Sequence, residues 1–494
     1  MKQILSFLFI MNILGLLSFT TVHEEKQNPN NNITGISIYE QNKFYWQYNG
    51  KPVLLIGGSV EDNVFQIPDM VEHLDILKAN GGNYLRCTMS SRDAGNEKPY
   101  KKINGLYDLN QPNPEYWKKF ENLLNQTSQR DIIIQVELWA TYDFYNSPAG
   151  WAENVFNPAN NSNYTPEESG LPEVIEHTAQ YKINPFFKTV PEINDNTFML
   201  KFQKDFVDRI MKLSLNYDNV LYCIDNETNA QPAWGAFWAK YIRDIAEEKG
   251  KKIYITEMWD NWDPTDGNVA GVRQQKAESH PFLNRSKAKN TIMAPELYDY
   301  VDISNNNAQN GEIHYQSALY VRNWVKRTGL IRPVNNVKIY GGTIYETFTR
   351  DWAGSFKDGE ERFWRDVFAG HASVRFHRPP YGHGLSPLAQ HHIKSMRMLT
   401  DSMDFFSHEP ANELLENREP NEAFCMISPG SEYALYFPGK SSVKLMTEPG
   451  TYEMRWLHIR SSTWRNPEEV KDPSHIETPD NDQWALLLRK KKSN

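Results

Sequence analysis

The chain repeats one hydrophobic pattern over most of its length: a short apolar run rich in β-branched and aromatic residues, then a longer stretch with helical spacing. The runs predict eight strands, at 52–58, 83–89, 131–139, 219–225, 252–259, 300–306, 338–346 and 372–378. Almost continuously apolar runs are typical of parallel strands buried on both faces. Eight strand–helix units close naturally into a (β/α)8 TIM barrel, the fold class we predict. A doubly wound open sheet is the alternative, but no G-x-G-x-x-G follows the first run.

Past about residue 405 the pattern changes to short strands separated by Pro, Gly and Asn turns. The runs EAFCMIS, EYALYFP, SVKLMTE, GTYEMRWLHI and WALLLRK predict a small antiparallel β-sandwich. We therefore expect a barrel over 33–405 and a sandwich over 406–494. A chain of 494 residues has room for both, since a single core rarely grows beyond about 300 residues.

The first residues predict export. Met1 and Lys2 precede the apolar stretch ILSFLFIMNILGLLSF, which matches a secretory signal over residues 1–22 and predicts a periplasmic or secreted protein. An uncleaved membrane anchor is the alternative, although the stretch is slightly short to span a bilayer. The three cysteines all lie inside apolar runs, so we expect small buried side chains and no disulfide framework.

Composition narrows the class of partner. The formal net charge of -9 argues against a general affinity for nucleic acid or for an anionic membrane surface, because both need clustered Lys and Arg. Aromatic residues make up 13% of the chain, including 14 Trp and 25 Tyr. Sugar rings stack on aromatic side chains, so this content mildly favours a carbohydrate partner, although large aromatic cores are the commoner explanation.

Two carboxylates are predicted where a barrel enzyme builds its active site, at the carboxyl-terminal ends of the strands. The fourth predicted strand ends in Asp225, Asn226 and Glu227, and the seventh ends in Glu346. A pair of carboxyl groups suffices to cleave a glycosidic bond, since one protonates the leaving oxygen and the other stabilises or attacks the developing cation. We therefore predict Glu227 and Glu346 as catalytic residues, with Asn226 holding a sugar hydroxyl. For either glutamate alone, a salt bridge or a solvated rim charge is the simpler interpretation.

This pattern resembles the clan A glycoside hydrolases, which carry Asn-Glu at strand four for the acid/base and a Glu at strand seven for the nucleophile. Asn226, Glu227 and Glu346 match, and Arg86 in GGNYLRC matches the strand-two arginine near the nucleophile. The stretch GKPVLLIGGSVEDNVFQ and the terminal strands are similar to apiosidase-like glycosidases that carry a collagen-binding-type C-terminal domain. The resemblance implies retaining hydrolysis, with Glu227 as acid/base and Glu346 as nucleophile.

The eighth run departs from that clan, whose members commonly place Trp there. It supplies four basic residues instead, and other strand ends add further polar groups to the predicted rim: Arg375, His377, Arg378, His383, Arg92, Asp93 and His314. Arginine presents a planar fork suited to carboxylate or sulfate, so the cluster suggests an acidic sugar such as a uronate or a sulfated unit. Ion pairing with Asp and Glu of neighbouring loops is an equal alternative.

The same residues permit elimination as a second chemistry. A base beside a uronate could abstract the proton next to the carboxylate and expel a substituent, so the protein would be a lyase or dehydratase. Tyr345, His377 and His383 are the candidate bases. A third class, a carbohydrate-binding protein without turnover, is disfavoured by the two retained glutamates.

Trp139, Trp259 and Tyr345 are the predicted walls of a sugar pocket. The histidines lack metal-ligand spacing and no phosphate loop is present, so we expect neither a metal nor a cofactor. The predicted partner is an oligosaccharide or polysaccharide.

Overall fold

The computed structural model describes residues 34–144, 150–175, 184–228, 230–259, 288–304, 309–342 and 353–491. The predicted leader, 1–22, lies outside the described residues, as do Tyr345 and Glu346. In the described part, no helix is both long and apolar enough to cross a bilayer.

A three-stranded antiparallel sheet opens the described chain, formed by β1 (Ile36–Ile38), β2 (Trp46–Tyr48) and β3 (Lys51–Val53). Its residue Trp46 is fully buried and packs edge-on against Tyr254 and Tyr300. The Trp46 indole donates a hydrogen bond to Asn335 Oδ1 (3.1 Å). All three partners lie at or just before the starts of barrel strands, so this sheet covers the amino-terminal end of the barrel.

The next strands form the barrel, except β6 and β7, which pair as a separate hairpin. In chain order they are β4 (Leu55–Gly58), β5 (Tyr84–Thr88), β6 (Tyr100–Ile103), β7 (Leu106–Pro112), β8 (Ile133–Trp139), β9 (Val220–Asp225), β10 (Ile255–Thr256), β11 (Val301–Asp302), β12 (Val334–Ile339) and β13 (Ser373–Phe376).

All the ladders between neighbouring barrel strands are parallel, in the order β10-β9-β8-β5-β4-β13-β12-β11. Between β10 and β11 the ladder is replaced by hydrogen bonds from Asp299 N to Ile255 O (2.8 Å), from Ile255 N to Asp299 Oδ2 (2.9 Å) and from Thr256 Oγ1 to Tyr300 O (2.8 Å). The sheet is therefore a nearly closed eight-stranded barrel, which confirms the predicted fold class.

Helices surround the barrel. They are α1 (Met70–Ala79), α2 (Pro114–Ser128), α3 (Pro166–Ser169), α4 (Thr197–Ser214), α5 (Pro232–Glu248), α6 (Lys289–Ile292), α7 (Gly311–Arg327), α8 (Phe356–Phe368) and α9 (Pro387–Asp401). Short 3-10 turns occupy Val64–Gln66, Thr141–Phe144, Trp151–Glu153, Pro158–Asn160, Pro185–Lys188, Phe405–Ser407 and Asn412–Leu414.

The seventh barrel strand begins and ends earlier than the sequence pattern predicts. We expected it at 338–346, but β12 covers Val334–Ile339. The two asparagines that follow its first residue, Val334, resemble a turn in the sequence, yet both are buried and hydrogen-bonded. Asn335 accepts from Trp46, and Asn336 donates to Asp366 Oδ2 (2.8 Å). Glu346 therefore follows the end of β12 by seven residues and does not close the strand.

Two glycines explain why the strand stops. Gly341 and Gly342 have φ values of 139° and 100°, which side chains with a Cβ rarely adopt. A Cβ on Gly341 would collide with the backbone of Gly359, and one on Gly342 would collide with the ring of Phe356. The chain therefore leaves the barrel wall here and passes close against the start of α8.

The C-terminal strands form two antiparallel sheets. The strands are β14 (Glu409–Pro410), β15 (Leu415–Glu416), β16 (Phe424–Ser428), β17 (Glu432–Phe437), β18 (Ser442–Leu445), β19 (Thr451–His458), β20 (Thr463–Trp464), β21 (Glu468–Lys471), β22 (His475–Glu477) and β23 (Trp484–Lys490). The larger sheet runs β14-β16-β17-β23-β19-β20, with β21 on β19, and the smaller runs β15-β18-β22. This is the predicted sandwich.

A central strand of the larger sheet, β17, is buried on both faces. Leu435 and Phe437 point into the core shared with the smaller sheet, whereas Ala434 and Tyr436 join the core of the barrel. Tyr436 stacks on Trp364 of α8 with ring centroids 5.1 Å apart. The sandwich therefore covers the outer side of α8, next to the barrel wall.

Candidate functional site

Two barrel strands, β5 and β13, and the segments that follow them direct basic side chains toward one carboxylate, Asp62, which follows β4. Five basic groups approach it within 4.0 Å: Arg86 (3.5 Å), Arg92 (3.4 Å), Arg375 (3.9 Å), His377 (3.7 Å) and Arg378 (3.2 Å). Burial would raise the pKa of Asp62, but Arg86 and the other basic groups outweigh it and hold that pKa well below its usual range. Asp62 is therefore the shared anion of the barrel mouth.

Arg86 links Asp62 to a second buried carboxylate. Its Nη2 donates to Glu137 Oε2 on β8 (2.6 Å) and to Thr88 Oγ1 (2.9 Å), and Thr88 Oγ1 donates to the same carboxylate oxygen (2.6 Å). Arg86, Thr88 and Glu137 are all fully buried. Because every charge here has a partner of opposite sign, Arg86 is fixed in place beneath the mouth.

Glu227 stands just past the end of β9 in an unusual backbone conformation. Its φ of 62° is in the left-handed region, which is uncommon for a residue with a long side chain. Hydrogen bonds on both sides hold this turn, from Asn226 N to Trp139 O (2.9 Å) and from Thr228 N to Met258 O (2.8 Å). The Glu227 side chain is 32% exposed, so its carboxylate reaches the open mouth.

Lys338 crosses the barrel from β12 to meet the end of β9. Its Nζ donates to Asn226 Oδ1 (2.5 Å) and lies 2.8 Å from Glu227 Oε1. Burial would raise the pKa of Glu227, but the Lys338 ammonium, helped by Arg86, lowers that pKa below its usual value. Glu227 is therefore a carboxylate in the free protein at neutral pH.

Tyr340 and His377 form one wall of the mouth. Their rings stack with centroids 4.2 Å apart and an interplanar angle of 9°. Burial raises the pKa of Tyr340, and Glu227 and Asp62 raise it further. Burial lowers the pKa of His377, which outweighs the opposing charge of Asp62, so the imidazole is neutral.

A pair of buried acids lies behind Glu227. Asp225 closes β9 and accepts a hydrogen bond from the Trp234 indole (2.9 Å), while its backbone N–H donates to Glu257 Oε1 (3.0 Å). Burial raises the pKa of Asp225 to about 7 and that of Glu257 well above its usual value, and each charge disfavours the other. These two carboxyls do not both ionise at neutral pH.

The rim arginines have acidic partners, as the ion-pairing alternative expected. Arg378 contacts Glu61 Oε2 (2.8 Å) as well as Asp62. Arg92 lies 3.3 Å from Asp143 Oδ1. Arg375 is buried inside the barrel, where it donates to Val337 O (2.9 Å) and to Ser59 Oγ.

This cluster contains five permanent cations and five carboxylates, and each group lies within 4.0 Å of at least one group of opposite charge. The cations are Arg86, Arg92, Lys338, Arg375 and Arg378, and the carboxylates are Glu61, Asp62, Glu137, Asp143 and Glu227. Asp93, predicted at the same rim, lies close enough to Glu61 and Arg92 for its charge to raise the pKa of both. The charges of these arginines are therefore balanced by carboxylates of the protein before a ligand arrives.

The structure corrects the assignment of two tryptophans to a sugar pocket. Trp139 is 1% exposed and packs among Phe156, Phe186, Phe206, Trp234 and Trp238, in the aromatic core behind the mouth. The cavity that it borders has a volume of about 40 Å³, room for little more than water. Trp259 is also buried, and its indole donates to Thr291 Oγ1 (3.0 Å). Neither ring presents a face to a sugar in the described structure.

Two predicted rim histidines lie away from this cluster. His314 belongs to α7 and is fully buried, 3.8 Å from Asp366 Oδ1. His383 donates from Nε2 to Phe356 O (2.8 Å) at the start of α8, and it packs against the rings of Phe356 and Phe376. Both contribute to the packing of helices, so we withdraw them as substrate ligands.

Sequence reasoning missed one cation and four carboxylates of the cluster, as well as one ring of the wall beside it: Lys338, Glu61, Asp62, Glu137, Asp143 and Tyr340. Asp62 lies in the stretch quoted for the family resemblance, but nothing in the sequence marks it as the shared anion. Glu137 and Lys338 did carry a signal, since a charged residue inside a buried β run must find a partner across the barrel. In the described part of the chain, no group of three or more His, Cys, Asp or Glu side chains is arranged to hold a metal ion.

The fold is similar to that of solved structures described as glycoside hydrolases. Over 92% of its length the chain superposes on 94% of a glycoside hydrolase family 5 protein from Bacteroides vulgatus ATCC 8482, with a TM-score of 0.59 and 12% identity. A second structure, described as a glycoside hydrolase, matches 93% of the chain and 98% of its own length, with a TM-score of 0.59 and 11% identity.

Sequence comparison is narrower. The model of a domain of unknown function, DUF6298, matches residues 89–261, which include β8, β9 and the Asn226-Glu227 turn. A search of curated proteins finds no match.

Proposed function

We propose that the protein is a retaining glycoside hydrolase acting on polysaccharide-derived oligosaccharides. The observation that carries the proposal is Glu227: a carboxylate after the fourth strand of a glycosidase-like barrel, held in a left-handed turn beside Asn226 and one-third exposed at the mouth. Strand ends are where barrel enzymes build their active sites. The narrower likeness to apiosidase-like glycosidases remains a prediction.

In the proposed reaction, Glu227 first takes up a proton from solvent, because Lys338 keeps it ionised in the free protein. Glu346 then attacks the anomeric carbon while Glu227 gives that proton to the departing glycosidic oxygen. The carbon–oxygen bond to the leaving sugar breaks as the bond to Glu346 forms. Glu227, now a carboxylate, removes a proton from water, which displaces Glu346 and releases a sugar of the original configuration. Glu346 lies outside the described residues, so its role rests on the sequence resemblance alone.

The test combines Glu227→Gln with a matched control, Glu247→Gln, on the exposed surface of α5. Wild type and variants are incubated with neutral and uronate-containing oligosaccharides, and the products are weighed by mass spectrometry. Hydrolysis adds one water per bond cleaved. We expect Glu227→Gln to lose at least about 10²-fold in rate and Glu247→Gln to match wild type. Hydrolysis unimpaired in Glu227→Gln would contradict the proposal.

Azide separates the roles of the two glutamates. In an acid/base variant, azide should attack the glycosyl intermediate and give a glycosyl azide of retained configuration. In a nucleophile variant, azide should attack the substrate directly and give the inverted product. We therefore expect retention from Glu227→Ala and inversion from Glu346→Ala, each read by proton NMR of the anomeric centre.

One observation favours elimination as a second candidate. Lys338 keeps Glu227 ionised, and an ionised carboxylate suits a base better than an acid. On a uronate, Glu227 would take the proton beside the carboxylate, and the substituent one carbon further would depart with its bonding electrons. This reaction leaves an unsaturated uronate that absorbs in the ultraviolet, so absorbance in the same panel would favour it over hydrolysis.

We also propose that the substrate is met outside the cytoplasm, after export directed by residues 1–22. Cell fractionation of the full chain and of a chain lacking these residues tests this, and retention of the full chain in the cytoplasm would contradict it. Whether the sugar is acidic is answered by the same panel. The paired arginines make a neutral sugar as suitable as a uronate.

A further inference from the structure

Lys338 is buried at the centre of the mouth, although it belongs to a strand on the far side of the barrel from Glu227. Its side chain is 2% exposed. A buried ammonium is costly unless it is paired and hydrogen-bonded. Its position is explained by its two contacts at the end of β9, with Asn226 Oδ1 and Glu227 Oε1.

The contact with Asn226 fixes the direction of an amide. A lysine ammonium has three donors and no acceptor, so it must face the oxygen of the amide. The nitrogen of Asn226 is therefore the half turned away from Lys338. An amide that offers N–H selects an acceptor, such as the lone pair of a sugar hydroxyl.

The contact with Glu227 fixes a carboxylate that its backbone would otherwise leave poorly supported. Glu227 has a left-handed backbone conformation and follows β9 instead of lying within it, so the regular pairing of the strand does not hold it in place. Lys338 supplies an anchor from across the barrel. The two oxygens that it binds come from adjacent residues, so one group sets the relative placement of both side chains.

Other charged groups surround this pair. Arg86, Asp62 and Tyr340 face Glu227, while Asp302 and His377 face Lys338. Of the charges that act on Glu227, Lys338 has the largest effect and Arg86 the next. Arg86 is already paired with Glu137 and Asp62, so it is poorly placed to compensate for the loss of Lys338.

We propose that Lys338 is a positioning residue of this site: its ammonium group fixes the Asn226 amide and the Glu227 carboxylate in the arrangement that the substrate meets. The inference rests on the proposed function for its kinetic test. Lys338 acts in this proposal only through its contacts with Asn226 and Glu227. Removing it should disturb catalysis through Glu227 and Asn226, and it should move the pH at which Glu227 changes charge.

The kinetic test compares Lys338→Met and Lys338→Arg with Lys326→Met, a control on the exposed surface of α7. We expect Lys338→Met to lower kcat by about 10²-fold, because small misplacements of reacting groups cost that much. The limb of the pH–rate profile that reports Glu227 should move to higher pH, whether Glu227 acts as acid or as base. Lys338→Arg should return that limb to its wild-type pH. Lys326→Met should leave kcat and the pH–rate profile as in wild type. An unmoved limb in folded Lys338→Met overturns the inference.

A substrate-free measurement separates this inference from the proposed function. With ¹³C-labelled glutamate, the Glu227 carboxyl signal is identified as the one absent from Glu227→Gln, and its titration is followed in wild type and in Lys338→Met. Should Lys338→Met fail to fold, Lys338→Gln takes its place. A titration that moves to higher pH supports positioning even if no oligosaccharide is cleaved. An unchanged titration overturns the inference even if cleavage is found.

Discussion

At the scale of single residues, Glu227 has a backbone conformation that costs free energy, and the placement of its side chain explains why the protein keeps it. A residue with a Cβ in the left-handed region is strained by about 1–2 kcal/mol, and such strain is concentrated at functional sites. No packing requirement explains it, since the Glu227 side chain is one-third exposed. The strain places the carboxylate in the mouth, where an extended strand would direct it elsewhere.

Replacing Glu227 by Gly should therefore give a more stable protein than replacing it by Ala. Both substitutions remove the carboxylate and leave Lys338 without that partner, so this loss cancels in the comparison. Only Gly relieves the backbone, and we expect a difference of about 1 kcal/mol in the free energy of unfolding. Urea denaturation measures it. Equal stabilities would show that the turn is not strained.

Asp62 is expected to be indispensable to the folded mouth. Asp62→Asn leaves several buried basic groups without their shared anion, and breaking a buried ion pair costs about 3–5 kcal/mol. Thermal unfolding at pH 7 should show the loss. Asp69→Asn, an exposed position before α1 whose side chain makes no capping hydrogen bond, is the control and should unfold as wild type does.

The pKa of Asp62 gives that prediction a pH dependence. Its pKa is depressed in the folded protein, so its contribution to stability is present above the unfolded value near 3.8 and is lost as the pH falls through the lower folded value. The stability difference between wild type and Asp62→Asn should therefore persist at pH 5 and shrink in stronger acid. A difference that grew on acidification would contradict this assignment.

At the scale of elements, the alternation of apolar runs and helical stretches was enough to predict the barrel. A buried parallel strand needs apolar side chains on both faces, and seven of the eight runs contain the strand they predicted. The exception, β12, has Asn335 and Asn336 directly after its first residue, and their burial depends on partners far away in the chain. No local pattern reveals that Trp46 and Asp366 satisfy them.

The site was only partly predictable, for the same reason. Asn226, Glu227, His377 and Arg378 were singled out because they lie at predicted strand ends, and the structure brings them together. Arg86 was singled out by the family resemblance, and it joins the same cluster. The pairing of Lys338 with Glu227 depends on two strands that meet only when the barrel closes. Trp139 at the end of β8 packs into an aromatic core outside the barrel, and Trp259, three residues past β10, bonds to Thr291 of α6. Periodicity along a strand cannot show such contacts.

Strands β9 and β10 meet at the buried acids Asp225 and Glu257, and this contact predicts a loss of stability in alkali. Both pKa values are raised in the folded protein, so each acid is protonated more readily there than in the unfolded chain. Ionisation therefore destabilises the fold increasingly as the pH rises from about 4 through 7. Glu257→Gln keeps an oxygen for the Asp225 N–H and removes one charge. We expect it to unfold at a higher temperature than wild type at pH 8.5 and to show a smaller gain at pH 5.

At the scale of the whole molecule, the larger sheet of the sandwich contributes side chains to two hydrophobic cores, that of the barrel and that of the sandwich. Adjacent residues of β17 serve different cores, since Leu435 faces the smaller sheet and Tyr436 stacks on Trp364. Polar contacts reinforce the junction: Glu360 of α8 accepts from Gln483 Nε2 (2.7 Å) and lies 3.3 Å from Arg460 Nη2. Neither core is complete without this sheet.

We therefore expect calorimetry to record a single unfolding transition. Leu435→Ala and Tyr436→Ala are a matched pair, one on each face of β17. Each should lower the temperature of that one transition, because a cavity in either core costs about 2–5 kcal/mol. A separate early transition in Leu435→Ala, with the main transition unmoved, would mean that the sandwich unfolds independently of the barrel.

The ion-paired mouth has a consequence for how a ligand arrives. The arginines and the lysine of this cluster are paired with carboxylates of the protein, so their charges largely cancel at a distance. A charged molecule far from the mouth is therefore only weakly attracted to it. Low ionic strength should thus not speed the association of an anionic oligosaccharide, whereas an unpaired basic patch would lose attraction steeply as salt shortens the screening length to about 10 Å. Capture would then depend on close contact at the mouth, with discrimination made after arrival.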